Sequence, residues 1–377
     1  MKREIGFLVV GLLLLALVLV LAACNGEESE QAAEPCPTCA PCPTAAAQEP
    51  CPECPTQEPC PECPPCPEGE AAVETCPFGE QWTGSAHADA ASEAFVHWDE
   101  EDPAEVPADC ANCHSSIGYQ DYIGADGSEM WVVDQAAPIG TVVDCQACHS
   151  EAAMMLDSSP IPFPSGITVT VEGPSARCAV CHQGRASTQS VDAAISGAGL
   201  EDMDTVSGDL GFINIHYFAA AATMYGTLAE GGYQYDGKSY DAKFDHVEDF
   251  STCNECHNSH TLELKVEACA ECHVESDPKD IRMEGSLVDY DGDGDMDEGV
   301  YYEIETLQGM LLEAIQGYAS EVAETPIAYD SAAYPYFFVD TNANGEADED
   351  EANFGNRFAS WTGRLAKAAY NYQTSLK

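Results

Sequence analysis

The chain has 377 residues, with 66 acidic and 13 basic side chains, and its formal net charge is −53. This excess of carboxylates argues against nucleic acid as a partner, because affinity for phosphate groups rests on Lys and Arg. A hydrophobic fraction of 45% is ordinary for a globular protein and argues against wholesale disorder. The chain also carries 20 Cys and 10 His, and the positions of these residues predict most of its chemistry.

Residues 1–23 have the pattern of a secretory signal peptide, in which two basic residues precede an apolar run over 5–21 and small residues follow. The run is only slightly short of a membrane-spanning helix, which is the alternative interpretation. Leu21-Ala22-Ala23-Cys24 resembles the lipobox of bacterial lipoproteins, and this resemblance implies that Cys24 is acylated. We therefore expect an exported protein that is held at the membrane by a lipid anchor, at the cell envelope or the cell surface.

Residues 24–80 are predicted to form a disordered stalk rich in Cys and Pro. Positions 35–77 hold 13 Pro and 9 Cys, which leaves too few apolar side chains for a core. Alternating proline favours an extended, semi-rigid spacer. Pairs of Cys-x-x-Cys allow a zinc site with four sulfur ligands, whereas export favours disulfides. The pairs concerned are Cys51/Cys54 and Cys60/Cys63.

Downstream of the stalk, the Cys-x-x-Cys spacing is followed by histidine five times. Cys-x-x-Cys-His is the signature of c-type haem attachment, in which two thiols add to the vinyl groups of one haem and the imidazole reaches its iron. Zinc-binding and redox Cys-x-x-Cys sites are the alternatives, and five complete motifs argue against both. The motifs are Cys110/Cys113/His114, Cys145/Cys148/His149, Cys178/Cys181/His182, Cys253/Cys256/His257 and Cys269/Cys272/His273.

Five histidines remain outside the motifs, one for each predicted iron. A six-coordinate iron needs a second axial ligand, so the matching count predicts that these histidines are the distal ligands: His87, His97, His216, His246 and His260. Methionine is the competing ligand and raises the reduction potential relative to a second His. Methionines also fill gaps in protein cores, which makes them the weaker candidates: Met130, Met154, Met155, Met203 and Met224.

His260 follows His257 by three residues, so it cannot easily bind the same iron from the opposite face. Cys-x-x-Cys-His-x-x-His resembles multihaem cytochromes in which the second His crosses to a neighbouring haem. With the five motifs, residues 82–274 resemble an exported multihaem c-type cytochrome. This resemblance implies a mostly irregular and helical fold with a few short strands, in which haems form most of the core.

Within the predicted haem domain, residues 81–285, three local elements are expected. Asp236-Gly237 between aromatic residues predicts a hairpin turn within 231–246. Alternation of apolar residues and Thr over 166–171 predicts a short strand. Residues 215–227 are predicted to form a helix that carries His216.

The C-terminal segment, residues 286–377, contains two acidic loops, each followed by an amphipathic stretch. Both loops resemble the EF-hand calcium loop, which has oxygen ligands at positions 1, 3, 5 and 9, Gly at 6 and Glu at 12. The first lacks the final ligand because Val300 stands there, so Glu298, Glu303 or water must complete it. A solvated acidic turn is the alternative for both loops. The candidate ligands are Asp289, Asp291, Asp293, Asp295 and Asp297 in the first loop, and Asp340, Asn342, Asn344, Glu346, Asp348 and Glu351 in the second.

Two helices are expected in this segment. Residues 301–323 have apolar residues at helical spacing, and 353–376 form the second stretch, which carries three of the chain's few basic residues. The segment is therefore predicted to be a helical EF-hand-like module that binds one or two structural Ca²⁺ ions.

Taken together, the sequence predicts a membrane-anchored pentahaem cytochrome that relays single electrons through bis-histidine haems to redox partner proteins or an extracellular acceptor. A multihaem reductase of a small nitrogen or sulfur oxyanion is one alternative, although it needs an iron with an open position. A subunit of a cytochrome filament, and hence a homopolymer, is another. We expect an electron carrier rather than an enzyme.

Overall fold

The computed structural model describes residues 76–377 apart from 244, 249, 276 and 284, and these residues belong to one compact unit. The predicted signal peptide, Cys24 and all but the last residues of the stalk lie outside the described residues. Within the described part of the chain, no helix is both long and apolar enough to span a membrane.

Helices dominate the fold, and most are shorter than ten residues. They are α1 (Gly79–Thr83), α2 (Glu93–Val96), α3 (Ala108–His114), α4 (Ser116–Tyr122), α5 (Cys145–His149), α6 (Glu151–Met155), α7 (Ser175–His182), α8 (Thr188–Gly197), α9 (Ala220–Tyr225), α10 (Cys253–Cys256), α11 (Val266–Cys269), α12 (Val300–Glu321) and α13 (Gly363–Ser375). Single 3₁₀ turns occur at Ala86–Ala88, Leu156–Ser158, Gly226–Leu228, Pro278–Asp280 and Phe354–Asn356.

Six short strands form three antiparallel pairs. The pairs are β1 (Glu105–Val106) with β2 (Ala137–Pro138), β3 (Pro160–Pro162) with β4 (Thr168–Thr170), and β5 (Ile327–Tyr329) with β6 (Phe337–Val339). Strands of two or three residues stabilise little by themselves. They connect neighbouring helices, and the fold is helix-rich with few strands, as the sequence predicts.

The largest hydrophobic cluster joins the predicted haem domain to the C-terminal segment. Val191, Ile215 and Tyr233 pack in the same cluster as Ile315, Trp361 and other residues of α12 and α13. A second cluster surrounds Leu156 and Ile161, and a third, smaller one contains Val106 and Ala111. The predicted boundary between 285 and 286 therefore divides residues that share one core.

Close packing of α3 against α4 explains why position 118 is a glycine. A Cβ at Gly118 of α4 would lie 2.4 Å from the carbonyl oxygen of Ala111 in α3, so only glycine permits this approach. The contact holds α4 against the helix that ends in His114.

Five local elements were predicted from the sequence, three within 81–285 and two within 286–377, and two of them are confirmed. Thr168–Thr170 is a strand, and α12 spans most of 301–323. Residues 353–376 are helical only from Gly363 onward, apart from the 3₁₀ turn at Phe354–Asn356.

The other two local predictions are confirmed only in part, because a turn and a helix are present but the flanking strands and the helical position of His216 are not. Gly237 occupies a turn with positive φ, but the described residues of 231–246 form no strand, because no neighbouring strand pairs with them. His216 is not helical: its φ is +90°, and the helix begins only at Ala220.

The C-terminal segment also differs from a pair of EF-hands. The first acidic loop leads directly into α12, but only a 3₁₀ turn precedes it, at Pro278–Asp280. The second loop follows β6 and precedes the 3₁₀ turn at Phe354–Asn356. The helical EF-hand-like module is therefore not confirmed, because the β5–β6 pair separates α12 from the second loop.

Candidate haem sites

The five Cys-x-x-Cys-His motifs are numbered as sites 1 to 5 in chain order, so that they contain His114, His149, His182, His257 and His273 respectively. In sites 1, 2 and 3 the motif forms the end of α3, α5 and α7, and the histidine is the last helical residue. In site 4, α10 ends one residue before the histidine, and in site 5 the motif begins at the last residue of α11.

Helical spacing explains this placement. Residues three and four apart lie on one face of a helix, so both thiols and the imidazole of a motif project together. Local capping fixes where two of the helices begin. The Asp144 carboxylate accepts hydrogen bonds from the backbone of α5, and Thr252 with Glu255 forms a capping box on α10.

The second thiol of site 5 departs from the helical placement. Cys272 is exposed and lies in a turn beyond α11, whereas a haem-dominated core is expected to enclose the thiols that attach its haems. Cys145 of site 2 is exposed as well, although it is the first residue of α5, so the end of α11 at Cys269 explains the turn and not the exposure. The backbone amides of Cys272 and His273 still donate to the Cys269 carbonyl, at 3.1 and 2.9 Å, so one tight turn keeps the motif together. The role of Cys272 as a haem thioether stays a prediction, and it would place one edge of that haem at the surface.

Four of the five motif histidines face a second histidine that is distant in sequence. The Nε2 atoms of His114 and His216 lie 3.5 Å apart. Ring centres are separated by 5.7 Å for His114 and His216, 6.2 Å for His182 and His87, 6.1 Å for His149 and His260, and 6.0 Å for His273 and His246.

These separations fit an iron ion between the two rings. A first-row metal such as zinc binds imidazole nitrogen at about 2.0–2.1 Å, so rings on opposite sides of one ion have centres about 6 Å apart. Paired thiols in the same motif supply the attachment points that a c-type haem requires. The donor set of sites 1, 2, 3 and 5 therefore fits a haem with two axial histidines.

Backbone carbonyls orient three of the motif histidines. Nδ1 of His114 donates to the oxygen of Ala94 at 2.8 Å, Nδ1 of His182 donates to Phe218 at 2.9 Å, and Nδ1 of His257 donates to Leu262 at 2.9 Å. Metal-binding histidines commonly use one ring nitrogen in this way, which leaves Nε2 for the metal. Sequence reasoning did not identify these carbonyls, because any residue type can supply one.

Two of the predicted distal histidines have lowered pKa values, which favours their neutral form at pH 7. Burial, with a smaller contribution from His182, lowers the pKa of His87 to about 4. Burial, Arg185 and His114 lower the pKa of His216 to about 4. A neutral imidazole keeps the lone pair that binds a metal.

Short segments of the chain serve two sites at once. Residues 214–218 place His216 opposite site 1 and the carbonyl of Phe218 on the histidine of site 3. His216 and Phe218 both have positive φ, an uncommon conformation for these residue types. The loop after site 4 behaves similarly, since Leu262 orients His257 whereas His260 faces site 2. His260 thus faces a site other than its own, although not the adjacent site 5.

Hydrogen bonds show that site 3 lies beside two other sites. The Sγ atom of Cys181, in site 3, lies 3.5 Å from the backbone oxygen of Asn112, which stands between the two cysteines of site 1. The hydroxyl of Ser175, the first residue of α7, accepts a hydrogen bond from the backbone amide of Cys253 in site 4 at 2.9 Å. Site 3 therefore adjoins sites 1 and 4.

Site 4 differs from the others. Among the described residues, which include all ten histidines, no histidine ring faces His257 at a comparable distance. The remaining candidate, His97, lies beside site 1. Its ring centre is 4.9 Å from that of Trp98, and the ring centre of Trp98 is 5.2 Å from that of His114. The structure thus brings four predicted distal ligands to motif histidines, and His97 to none.

In the first acidic loop, backbone amides of Gly292 and Gly294 donate to the Asp289 carboxylate at 2.6 and 3.0 Å. Two groups of carboxylates have oxygens within 4.8 Å of one another: Asp289, Asp291 and Glu303 form one group, and Asp291, Asp293 and Glu298 form the other. Asp291 Oδ2 and Glu298 Oε1 are buried without a hydrogen-bond partner in the described structure. Carboxylate oxygens in this arrangement suit Ca²⁺.

Glu303 has another partner. Its carboxylate accepts a hydrogen bond from Arg282 at 2.6 Å and further bonds from the backbone of Tyr290 and Asp291. Burial alone would raise the pKa of Glu303, but these bonds lower it. Arg282 thus provides a cation at the base of the first loop, and Glu298 is the better placed of the two candidates for completing the ligand set.

In the second loop, Asp340 and Glu351 are buried. The Asp340 carboxylate accepts hydrogen bonds from the backbone of Asn344 at 3.2 Å and Gly345 at 2.8 Å. Hydrogen bonds from Thr341 lower the pKa of Glu351. The loop therefore folds around its first and last predicted ligands.

The chain is similar to C-type polyheme cytochrome OmcB of Geobacter sulfurreducens, with 25% identity over 353 residues that cover 74% of this chain and 42% of the relative. C-type polyheme cytochrome OmcC of the same organism is 25% identical over 322 residues, which cover 73% and 39% of the two chains. The chain thus spans less than half the length of these curated relatives. No family model and no solved structure matches. The similarity supports a multihaem cytochrome with c-type haem as its cofactor.

Proposed function

We propose that this protein is an electron-transfer cytochrome that holds five c-type haems and relays single electrons between redox partners. The observation that carries the proposal is the set of four facing histidine pairs, each of which combines a motif histidine with one distant in sequence. The similarity to polyheme cytochromes supports the same conclusion.

A c-type haem supplies reversible one-electron oxidation and reduction of its iron. The chain provides the attachment and the ligands: two thiols of each motif would hold the porphyrin, and the motif histidine would bind the iron. His216, His260, His87 and His246 would supply the second imidazole at sites 1, 2, 3 and 5. An iron held by two imidazoles would leave no position for substrate, which suits a carrier rather than an enzyme.

The neighbouring positions of the sites support a relay. Hydrogen bonds join site 3 to sites 1 and 4, and His260 extends from the site 4 loop to site 2. Because single segments hold two sites, the chain fixes the spacing between haems. Site 3 is then the junction of the relay.

The remaining expectations complete the proposal. Acylation of Cys24 anchors the exported protein at the cell envelope or surface, and the Cys/Pro-rich stalk separates the haem sites from the lipid. The net charge of −53 favours cationic partners or mineral acceptors by electrostatic steering. Ca²⁺ at the two acidic loops stabilises the C-terminal segment. Palmitate labelling that is lost in Cys24→Ser tests the anchor.

Redox titration of the purified holoprotein, followed by optical spectra, tests the main proposal. We expect five covalently bound haems with low-spin spectra at four sites and stepwise one-electron reduction. A protein without covalent haem would contradict the proposal.

A second candidate function is reduction of a small nitrogen or sulfur oxyanion. The observation that favours it is site 4, where no second histidine faces His257 in the described part of the chain. Such an enzyme requires one iron with an exchangeable position. Catalytic turnover of nitrite or hydroxylamine with an artificial electron donor, abolished by loss of Cys253 and Cys256, would support this function over that of a carrier.

A further inference from the structure

We propose that His97 of one molecule is the distal ligand of the site 4 iron in a second copy of this chain. The inference rests on the proposed haem binding and goes beyond it by naming the partner and the residue that joins the two molecules. It starts from two histidines of the same chain, a motif histidine that no second histidine faces and a predicted distal histidine that faces no motif.

The first group is His257, which has every feature of a motif histidine except a facing partner. Its Nδ1 donates to Leu262, so Nε2 is free to bind a metal. The imidazole is exposed, and Leu264, which bridges to it across the site 4 loop, is 46% exposed. The site 4 imidazole is therefore accessible from outside the molecule.

The second group is His97, which resembles a metal ligand without a metal. Its Nδ1 bonds to the Glu93 carboxylate at 2.8 Å, and its side chain is 58% exposed. A carboxylate on one ring nitrogen is a common arrangement for metal-binding histidine, because it orients the ring and raises its basicity. The free Nε2 of His97 is thus available to another molecule.

Contacts at site 1 prevent the two groups from meeting within one chain. The carbonyl of Ala94 bonds to His114, and the Trp98 ring packs against the same histidine, so residues on both sides of His97 are fixed at site 1. Site 3 adjoins both site 1 and site 4, through Cys181 and Ser175 respectively. Binding between two copies satisfies both groups without moving either segment.

The geometry of this contact predicts how molecules assemble. The donor, His97, and the acceptor, site 4, lie on different surfaces of the molecule, so the contact is head-to-tail. A linear assembly therefore keeps a free His97 at one end and a free site 4 at the other. Asp99 and Glu100 follow His97 closely in sequence, and both are exposed. Repulsion between acidic surfaces therefore opposes assembly at low ionic strength, and salt, which screens charges beyond about 10 Å at 0.1 M, promotes it.

Electron paramagnetic resonance and analytical ultracentrifugation on the same samples of full-length, detergent-solubilised holoprotein test the proposal. With increasing protein concentration at about 0.15 M salt, where surface charges are well screened, we expect one of five irons to change from high-spin to low-spin as molecules associate. His97→Ala keeps that iron high-spin and the protein monomeric at every concentration. Glu100→Gln, a control on the same exposed surface, retains the change.

A mixing experiment tests the polarity of the contact. His97→Ala retains the acceptor site, whereas Cys253→Ala/Cys256→Ala retains only the donor. Each variant alone should be monomeric, and an equimolar mixture should form dimers that do not grow further. Association of either variant alone would contradict the proposal.

Two spin-state results would overturn the inference and leave the proposed function intact, provided that five covalent haems are present. If all five irons are low-spin in monomers, a residue of the same chain, such as a methionine, binds site 4. If one iron stays high-spin at every concentration, site 4 is open to small ligands instead. Absence of covalent haem would refute the proposed function itself.

Discussion

His114 and His216 are separated by 102 residues in sequence, yet their Nε2 atoms face each other at 3.5 Å. A hydrogen bond from His114 to the carbonyl of Ala94 orients one ring, and the non-helical backbone at His216 orients the other. Both nitrogens are directed to the space between the rings, which is where an iron ion would be held.

Replacement of the predicted distal ligand at site 1 should leave one iron without its second axial histidine. We expect His216→Ala to convert one low-spin iron to high-spin, because water or nothing replaces the imidazole, and added imidazole should restore the low-spin signal. Electron paramagnetic resonance measures both changes. Tyr217→Phe, at the adjacent position, is the matched control and should leave all spin states unchanged. An unchanged spectrum in His216→Ala would show that another residue binds this iron.

Haem attachment should distinguish the five motifs from the cysteine pairs of the stalk. Cys110→Ala/Cys113→Ala should lose one covalent haem, measured as one haem mass by intact-protein mass spectrometry, because no thiols remain at site 1. Cys51→Ala/Cys54→Ala has the same spacing without a following histidine and should retain all five haems. Loss of a haem from the stalk variant would contradict the assignment.

The second acidic loop should depend on Glu351 for calcium. Glu351→Gln removes a buried carboxylate that accepts hydrogen bonds from Thr341 and Asp348. Calorimetric titration should show binding at this loop weakened by at least about tenfold, the factor that corresponds to about 1.4 kcal/mol. Asp350→Asn, on the exposed neighbouring residue, should change the affinity little. Equal affinity in wild type and Glu351→Gln would exclude calcium at this loop.

The shared core should couple the C-terminal segment to the stability of the whole unit. Leu365 of α13 is 1% exposed and packs in the largest cluster. We expect Leu365→Ala to lower the free energy of unfolding by about 2–5 kcal/mol, the usual cost of such a cavity. Leu376→Ala, at a residue that is 37% exposed, should cost much less. Chemical denaturation followed by circular dichroism compares the two variants.

The motifs could be predicted from sequence because local spacing determines them. Cys110, Cys113 and His114 are close in sequence, and a single helical turn brings their side chains to one face. The count of ten histidines also predicted that a second set exists. Which histidine faces which site depends on the path of the whole chain, as His260 illustrates by facing site 2. The exposure of each thiol depends on the path of the chain too, since Cys272 lies at the surface whereas Cys181 lies beside site 1.

Other features required tertiary structure. The helix predicted over 215–227 begins late because residues 214–218 follow the surfaces of sites 1 and 3 rather than a helical path. The turn at Gly237 lacks strands because none of the described residues pairs with its flanks. No sequence pattern indicated that Val191 and Trp361 share a core, since apolar residues reveal burial but not their neighbours.

Haem content and spin state, measured together on the purified holoprotein, test the central claim most directly. The account predicts five covalent haems per chain, with irons at sites 1, 2, 3 and 5 low-spin at every protein concentration. Fewer than five covalent haems, or high-spin irons at the sites where two histidines face each other, would contradict it.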